Sequence, residues 1–234
     1  MNVVFSETKN ANGLISELNE VSLAGLCPHL EPVALEFRQI LHETDRPLTH
    51  AYFVESGLIS SVRRMQDGGT VEVGLVGREG MSGLPALLGE ATAPDTGVVQ
   101  MAGRANRVEI GVLRDLMGED AALRATLLRY ARGVIVQAGQ LAACNRLHNV
   151  EARLARWLLM ARDRAATDEL PLTQEFLAIM LGVRRAGVTV AMNALAGSGL
   201  VRNARRRITV IDSEGLEATA CECYRVIQRA FAPL

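Results

Sequence analysis

The chain has 234 residues and a mass of 25.3 kDa, enough for one or two domains, and with 49% hydrophobic and 22% charged residues it is not a disordered polymer. Its apolar runs fall short of the ~18 residues that a membrane span needs, and Met1-Asn2-Val3-Val4-Phe5-Ser6-Glu7 lacks a basic region before an apolar run, so neither insertion nor export is expected. The net charge of −1 hides a split: between Leu172 and Ile211 six arginines stand against one acid, Glu175, giving +5 and leaving −6 for the remainder. A basic block on an acidic body fits a polyanion partner or a solvated charged face.

From about Leu35 to Ile110, glycines and turn residues cut the sequence into short runs that read as strands: Ala51–Val54, Gly57–Val62, Thr70–Val76 and Gly97–Met101. Asp67-Gly68-Gly69 supplies a tight hairpin between two of them, and many short strands of this kind build a sandwich or barrel. The glycine-rich stretch from Gly77 to Gly83 has no following lysine and reads as a turn rather than a phosphate loop.

After Gly118 the texture becomes helical. Leu127, Ala131, Val134, Ala138, Leu141 and Asn145 recur in steps of four and three, the seam along which one long helix packs against another. The polar Asn145 in that seam favours a dimer contact over docking on the chain's own barrel. Asn149 can cap a new helix with Glu151 in its first turn, so the boundary between two domains is set at His148-Asn149. Leu154, Trp157, Leu158 and Ala161 form the inner face of that helix.

Residues 172–211 read as a helix-turn-helix followed by a basic hairpin. Thr173 is the N-cap, Leu177, Met180 and Leu181 form the apolar face of the first helix, and Gly182 makes the turn. In the second helix, starting near Arg184, the spacing of Val188, Ala191, Met192 and Leu195 turns them inward and leaves Ala186, Thr189, Val190 and Asn193 facing out. Such a face enters the major groove, with Arg184 on a phosphate and Arg185 on a guanine edge, Asn193 offering its amide to adenine, and Thr189 or Val190 touching a thymine methyl. After Gly197-Ser198-Gly199, Leu200–Arg202 and Arg207–Ile211 form a hairpin with its tip at Asn203 to Arg206, so that Arg202, Arg205, Arg206 and Arg207 clamp phosphates.

The order of these parts, with Tyr52-Phe53-Val54-Glu55-Ser56-Gly57-Leu58, Val71 to Met81, Cys144-Asn145-Arg146-Leu147-His148 and Pro171 to Ala178, resembles the Crp/Fnr family of bacterial transcription regulators over nearly the whole chain. The resemblance implies an α+β chain. Residues 1–148 would hold a double-stranded β-helix (jelly-roll) sensor like a cyclic-nucleotide-binding domain and a long dimerisation helix at about 119–148. Residues 149–234 would form the winged helix-turn-helix domain. It further implies a cytoplasmic homodimer on an inverted repeat of double-stranded DNA, with RNA polymerase as a partner of an activator, no membrane partner and no enzymatic activity.

Two departures qualify the resemblance. Members that read DNA through an Arg-Glu pair and a later Arg would place these at 185, 186 and 190, where this chain has Arg185, Ala186 and Val190, so a different target is expected. Members that bind cyclic AMP hold its phosphate with an arginine, yet no Arg or Lys occurs between Arg78 and Arg104; cyclic-nucleotide binding is not expected and the effector stays open.

No cofactor or metal is expected. Cys27 stands alone near the N-terminus, unlike the cysteine groups of cluster-bearing members, and the four cysteines follow no disulfide spacing, so they read as reduced thiols. Cys221 and Cys223, taken to lie on one C-terminal helix, would point about 200° apart and could not share a metal, which makes Cys223 a core residue beside Leu216, Ala220 and Ile227. A competing reading is a ligand- or metal-binding barrel, or an enzyme, using His29, His42 and His50, although their spacing matches no ligand pattern.

Overall fold

The computed structural model describes residues 11–232, so the reading of Met1 to Glu7 lies outside the described residues. Two short helices, α1 (Gly13–Ser16) and α2 (Glu20–Leu26), lead into the strands β1 (Glu31–Leu35), β2 (Ile40–His42), β3 (His50–Arg64), β4 (Thr70–Val76), β5 (Met81–Ser82) and β6 (Thr96–Glu109). These form one antiparallel sheet in the order β1-β6-β3-β4, with β2 paired to β6 and β5 to β3. Residues of α1, β3 and the following helices close a core around Ile15, Phe53, Met81, Leu113 and Leu127.

The two strands expected at Ala51–Val54 and Gly57–Val62 are one 15-residue strand. The chain runs through Gly57 at φ 87° without leaving the sheet, because the pairing to β6 shifts register between Val54 and Ile59. A Cβ on Gly57 would lie 2.5 Å from the Met101 carbonyl oxygen, so only glycine lets the two backbones approach there. Similarly, the run expected at Gly97–Met101 is the start of the 14-residue β6. The hairpin at Asp67-Gly68-Gly69 forms as expected, with Gly68 at φ 87° and Asp67 Oδ1 accepting from Gly69 N. The stretch from Gly77 to Gly83 holds a turn and β5. Gly80 lies under the Tyr130 ring, where a Cβ would come within 2.3 Å, and this packing accounts for the glycine without a phosphate.

Helix α3 (Ile110–Glu119) precedes α4 (Ala121–Leu147), 27 residues and about 40 Å long. Asp120 caps α4 by accepting from Ala122 N and Leu123 N. The remainder comprises α5 (Val150–Ala165), β7 (Glu169–Leu170), α6 (Gln174–Leu181), α7 (Arg185–Gly197), β8 (Val201–Ala204), β9 (Arg207–Val210), α8 (Ser213–Thr219) and α9 (Cys223–Ala230). Asn149 caps α5 through Ala152 N at 2.9 Å, so the chain does break where the boundary was set. The core does not divide there: Leu58 and Leu75 of the sheet join the cluster of Leu154, Trp157, Leu158, Leu177 and Leu195.

Two sequence expectations are corrected. The seam residues serve mainly the chain's own packing: Leu127 and Ala131 are buried in the core, Val134 packs beside them, and Leu141 packs against the second cluster, which leaves Ala138 and Asn145 exposed. The exposed apolar stripe of α4 lies one residue further on, at Leu128, Ile135 and Ala142. And Cys221 and Cys223 do not share a helix, because the chain leaves α8 at Thr219, turns, and starts α9 at Cys223.

Candidate nucleic-acid interface

Thr173 accepts from Phe176 N at 3.2 Å and starts α6, and Gly182, at φ 61°, ends it. In α7, Val188, Ala191, Met192 and Leu195 are buried while Arg184, Arg185, Ala186, Val190 and Asn193 are exposed, as their spacing requires. Val190, 70% exposed, is a branched apolar side chain held out to solvent between Arg185 and Asn193 on the outer face of α7. Thr189 is half-buried: its hydroxyl proton is used within the chain, with Gln174 Oε1 at 2.8 Å and Arg185 O at 3.1 Å, which leaves the methyl and the oxygen's acceptor side for a ligand. Gln174, which sequence reasoning passed over, is thereby fixed at the start of α6 beside the exposed face of α7.

Beside α7 the hairpin of β8 and β9, completed by β7, carries the remaining arginines. The first strand runs further than expected, to Ala204, while the second starts at Arg207 as expected and ends at Val210, so the tip is the two-residue turn Arg205-Arg206, with Arg206 at φ 58°. Arg202, Arg205, Arg206 and Arg207 are all exposed. Two cations have acidic neighbours: Arg185 lies 3.5 Å from Glu175 and Arg207 3.4 Å from Glu169, both exposed pairs of little net value that a phosphate can displace. Arg184, Arg202, Arg205 and Arg206 have no ion-pair partner among the described residues.

This surface is fastened to the sheet by buried polar groups. Glu72 of β4 accepts from Ser60 Oγ at 2.6 Å and from Trp157 Nε1 of α5 at 2.8 Å. Burial pushes its carboxyl up to about 7, against the opposing pull of those two donors and of Arg156 and Arg164. Arg164, also on α5, donates to Leu75 O and pairs with Glu79 at 2.9 Å. These bonds join α5, against which α6 and α7 pack, to the sheet.

Under the sheet and α4 lies a cavity of about 330 Å³, lined by Val73, Leu75, Ser82, Leu84, Tyr130, Gln137 and others. Its ionisable lining is His42, Glu90, Asp95 and Tyr130; no Arg or Lys among the described residues lines it. His42 Nε2 and Asp95 Oδ1 stand 3.5 Å apart. The three histidines of the competing reading are not brought together. His29 is exposed on a short turn, His42 lines the cavity, and His50 contacts Thr49 Oγ1. Among the described residues, the one group of three or more metal-ligating side chains lies elsewhere.

Two family models match. One described as a Crp-like helix-turn-helix domain covers residues 152–219, and one described as a cyclic nucleotide-binding domain covers residues 33–120. A CRP-like cAMP-activated global transcriptional regulator of Mycobacterium tuberculosis is 24% identical over 217 residues, covering 89% of this chain and 96% of that protein. Among solved structures, FixK2 from Bradyrhizobium japonicum superposes with a TM-score of 0.71 at 17% identity, covering 82% of this chain and 98% of that one. The c-di-GMP responsive global regulator CLP of Xanthomonas campestris reaches 0.67 at 15% identity, covering 82% and 99%. At these identities the superpositions carry the fold.

Proposed function

The chain belongs to the Crp/Fnr family of transcription regulators, which are DNA-binding proteins and not enzymes, and from that premise we propose that it acts in the cytoplasm as a homodimer on an inverted-repeat operator. The single observation that carries the DNA reading is the exposed face of α7, where Arg184, Arg185, Val190 and Asn193 stand clear of the fold beside the arginine-tipped hairpin. Arg185 and Asn193 would read base edges, Val190 and the Thr189 methyl would meet thymine, and Arg184, Arg202, Arg205, Arg206 and Arg207 would hold phosphates. Thr173 acts through its cap, which sets the start of α6. RNA polymerase would be a further partner if the protein activates.

Arg206→Ala should weaken binding to every sequence alike and flatten the salt dependence by about two units of slope, because the dimer releases one fewer counterion per protomer. Arg185→Ala should cost ~1–3 kcal/mol and relax preference at one base pair. A salt series of filter binding on selected and random duplexes measures both; equal affinity of the parent protein for the two duplexes would remove the reading.

The sensor cavity supports an effector other than a cyclic nucleotide. A cyclic phosphate placed there would meet Glu90 and Asp95 with no Arg or Lys among the described residues to balance it, and a buried unpaired anion is costly. Calorimetric titration with cyclic AMP or cyclic GMP should show no micromolar binding. Its appearance would mean that Arg78 or Arg104 swings into the cavity.

A further inference from the structure

The junction between α4 and the DNA-binding helices holds a cluster that the DNA reading does not use. Cys144, on the last turn of α4, and His148, its C-cap, are four residues apart and so share one helix face. The turn between α8 and α9 brings Cys221 and Cys223 against them. Cys144 Sγ lies 3.5 Å from Cys221 Sγ, Cys223 Sγ lies 3.5 Å from His148 Nδ1, and the four ligand atoms are all within 4.8 Å of one another. All three cysteines are free and buried. From these positions the geometry points to a Cys3His site for a single tetrahedral divalent ion of the zinc type, clasping the end of the long helix to the α8–α9 turn.

Several observations converge on this assignment. A tetrahedron whose sulfurs lie ~2.3 Å from the ion has edges of about 3.8 Å, close to the spacing here, whereas a multi-iron cluster spreads its sulfurs round a larger core. Three thiolates and an imidazole are soft to borderline donors, and four protein ligands close the coordination sphere in the manner of a structural zinc site. The outer groups are also in place: His148 offers Nδ1 to the cluster while its Nε2 faces the Glu222 carboxylate at 3.3 Å, and Gln140 Nε2 donates to Cys223 Sγ at 3.1 Å. Three thiolates around a divalent ion leave one negative charge. Two guanidiniums, Arg153 and Arg156, lie buried on the neighbouring α5, each with an Nε lacking a hydrogen-bond partner. Arg153 donates to Leu181 O and Arg156 acts on Glu72, and both also act on Cys144, so an anionic thiolate centre there adds counter-charge to two buried cations. The sequence carries the ligands as Cys144-Xaa3-His148 and Cys221-Xaa-Cys223; only the second pair is weighed in the sequence analysis, where a single helix across 221–223 turns its two thiols apart.

Cobalt(II) titration of the full chain, purified under reducing conditions and stripped with chelator, tests the site. We expect one cobalt per chain, with a thiolate-to-cobalt charge-transfer band and the intense visible bands of a tetrahedral centre, displaced by one equivalent of zinc. Cys221→Ser should reduce affinity by roughly 100-fold or more, Glu222→Gln, a change at an exposed carboxylate, by about tenfold, and Cys27→Ser not at all. Hydrogen exchange of residues 142–150 and 219–224 should slow on zinc addition. Absent tetrahedral bands in the parent protein, bands that survive in Cys144→Ser, or a Cys144–Cys221 disulfide forming in place of metal uptake would overturn the site. Metal binding without added protection would overturn the clasp.

Discussion

Between about pH 4 and pH 8 the parent protein should lose roughly 3 kcal/mol of stability relative to a Glu72→Gln variant, the difference being smallest at the acid end. The Glu72 carboxyl titrates near 7 in the fold against 4.5 for the free side chain, so the native state holds a proton that the unfolded chain has already released. A raised acid of this kind contributes fully below the unfolded value, its contribution is lost as pH rises toward 7, and it stays lost above. Burial is the cause; the donors Ser60 and Trp157 and the cations Arg156 and Arg164 oppose it without overcoming it. The glutamine keeps an acceptor for Trp157 and turns an amide donor toward Ser60 Oγ, where the glutamate accepts, but never ionises. Urea unfolding of both proteins across the range measures the difference, and a difference independent of pH would refute the assignment. Because the bond runs from β4 to α5, the same proton also affects how firmly the DNA-binding helices are held to the sensor.

The DNA-facing side was legible because α7 has a single apolar face. With Val188, Ala191, Met192 and Leu195 turned inward, helix geometry alone puts Arg185, Val190 and Asn193 outside, and the arginine-rich hairpin needs only its own turn. Where an element has two covered faces, or a contact joins distant positions, the pattern ran out. Helix α4 carries adjacent stripes at 127, 131, 134 and 128, 135, 142, and periodicity cannot say which one its own barrel takes. β3 was split at Gly57 because a glycine at positive φ inside a strand has the same sequence signature as a turn. The Glu72–Trp157 bond, across 85 positions, and the Cys144–Cys221 approach, across 77, are products of docking that no local spacing announces.

Ile135→Asp should convert the protein to a monomer and lower operator affinity by roughly 10²–10⁴-fold, since a lone half-site loses the advantage of the linked second one. Ile135 is 64% exposed and Leu128 43%, and with Ala142 they recur every seven residues on the outer side of α4. The intervening Gly139 faces open space, where a Cβ would meet no atom, so a second α4 can approach closely. A two-fold contact along this stripe would bury each apolar side chain against its copy and set two α7 helices on one face of DNA, roughly 34 Å apart in successive major grooves. An aspartate at 135 enters such a contact twice, placing like charges together out of water. Leu141→Asp separates this reading from the seam expected from sequence, because Leu141 packs inside the chain, bordering the same small cavity as Glu72, Arg156 and Trp157. That variant should unfold at lower urea concentration and shift the emission of Trp157, the only tryptophan in the sequence, whereas Ile135→Asp should leave the emission unchanged. Light scattering, tryptophan fluorescence and operator binding on the two variants decide between the faces. A dimeric Ile135→Asp beside a folded, monomeric Leu141→Asp would return the contact to the inner stripe and require α4 to leave its own barrel.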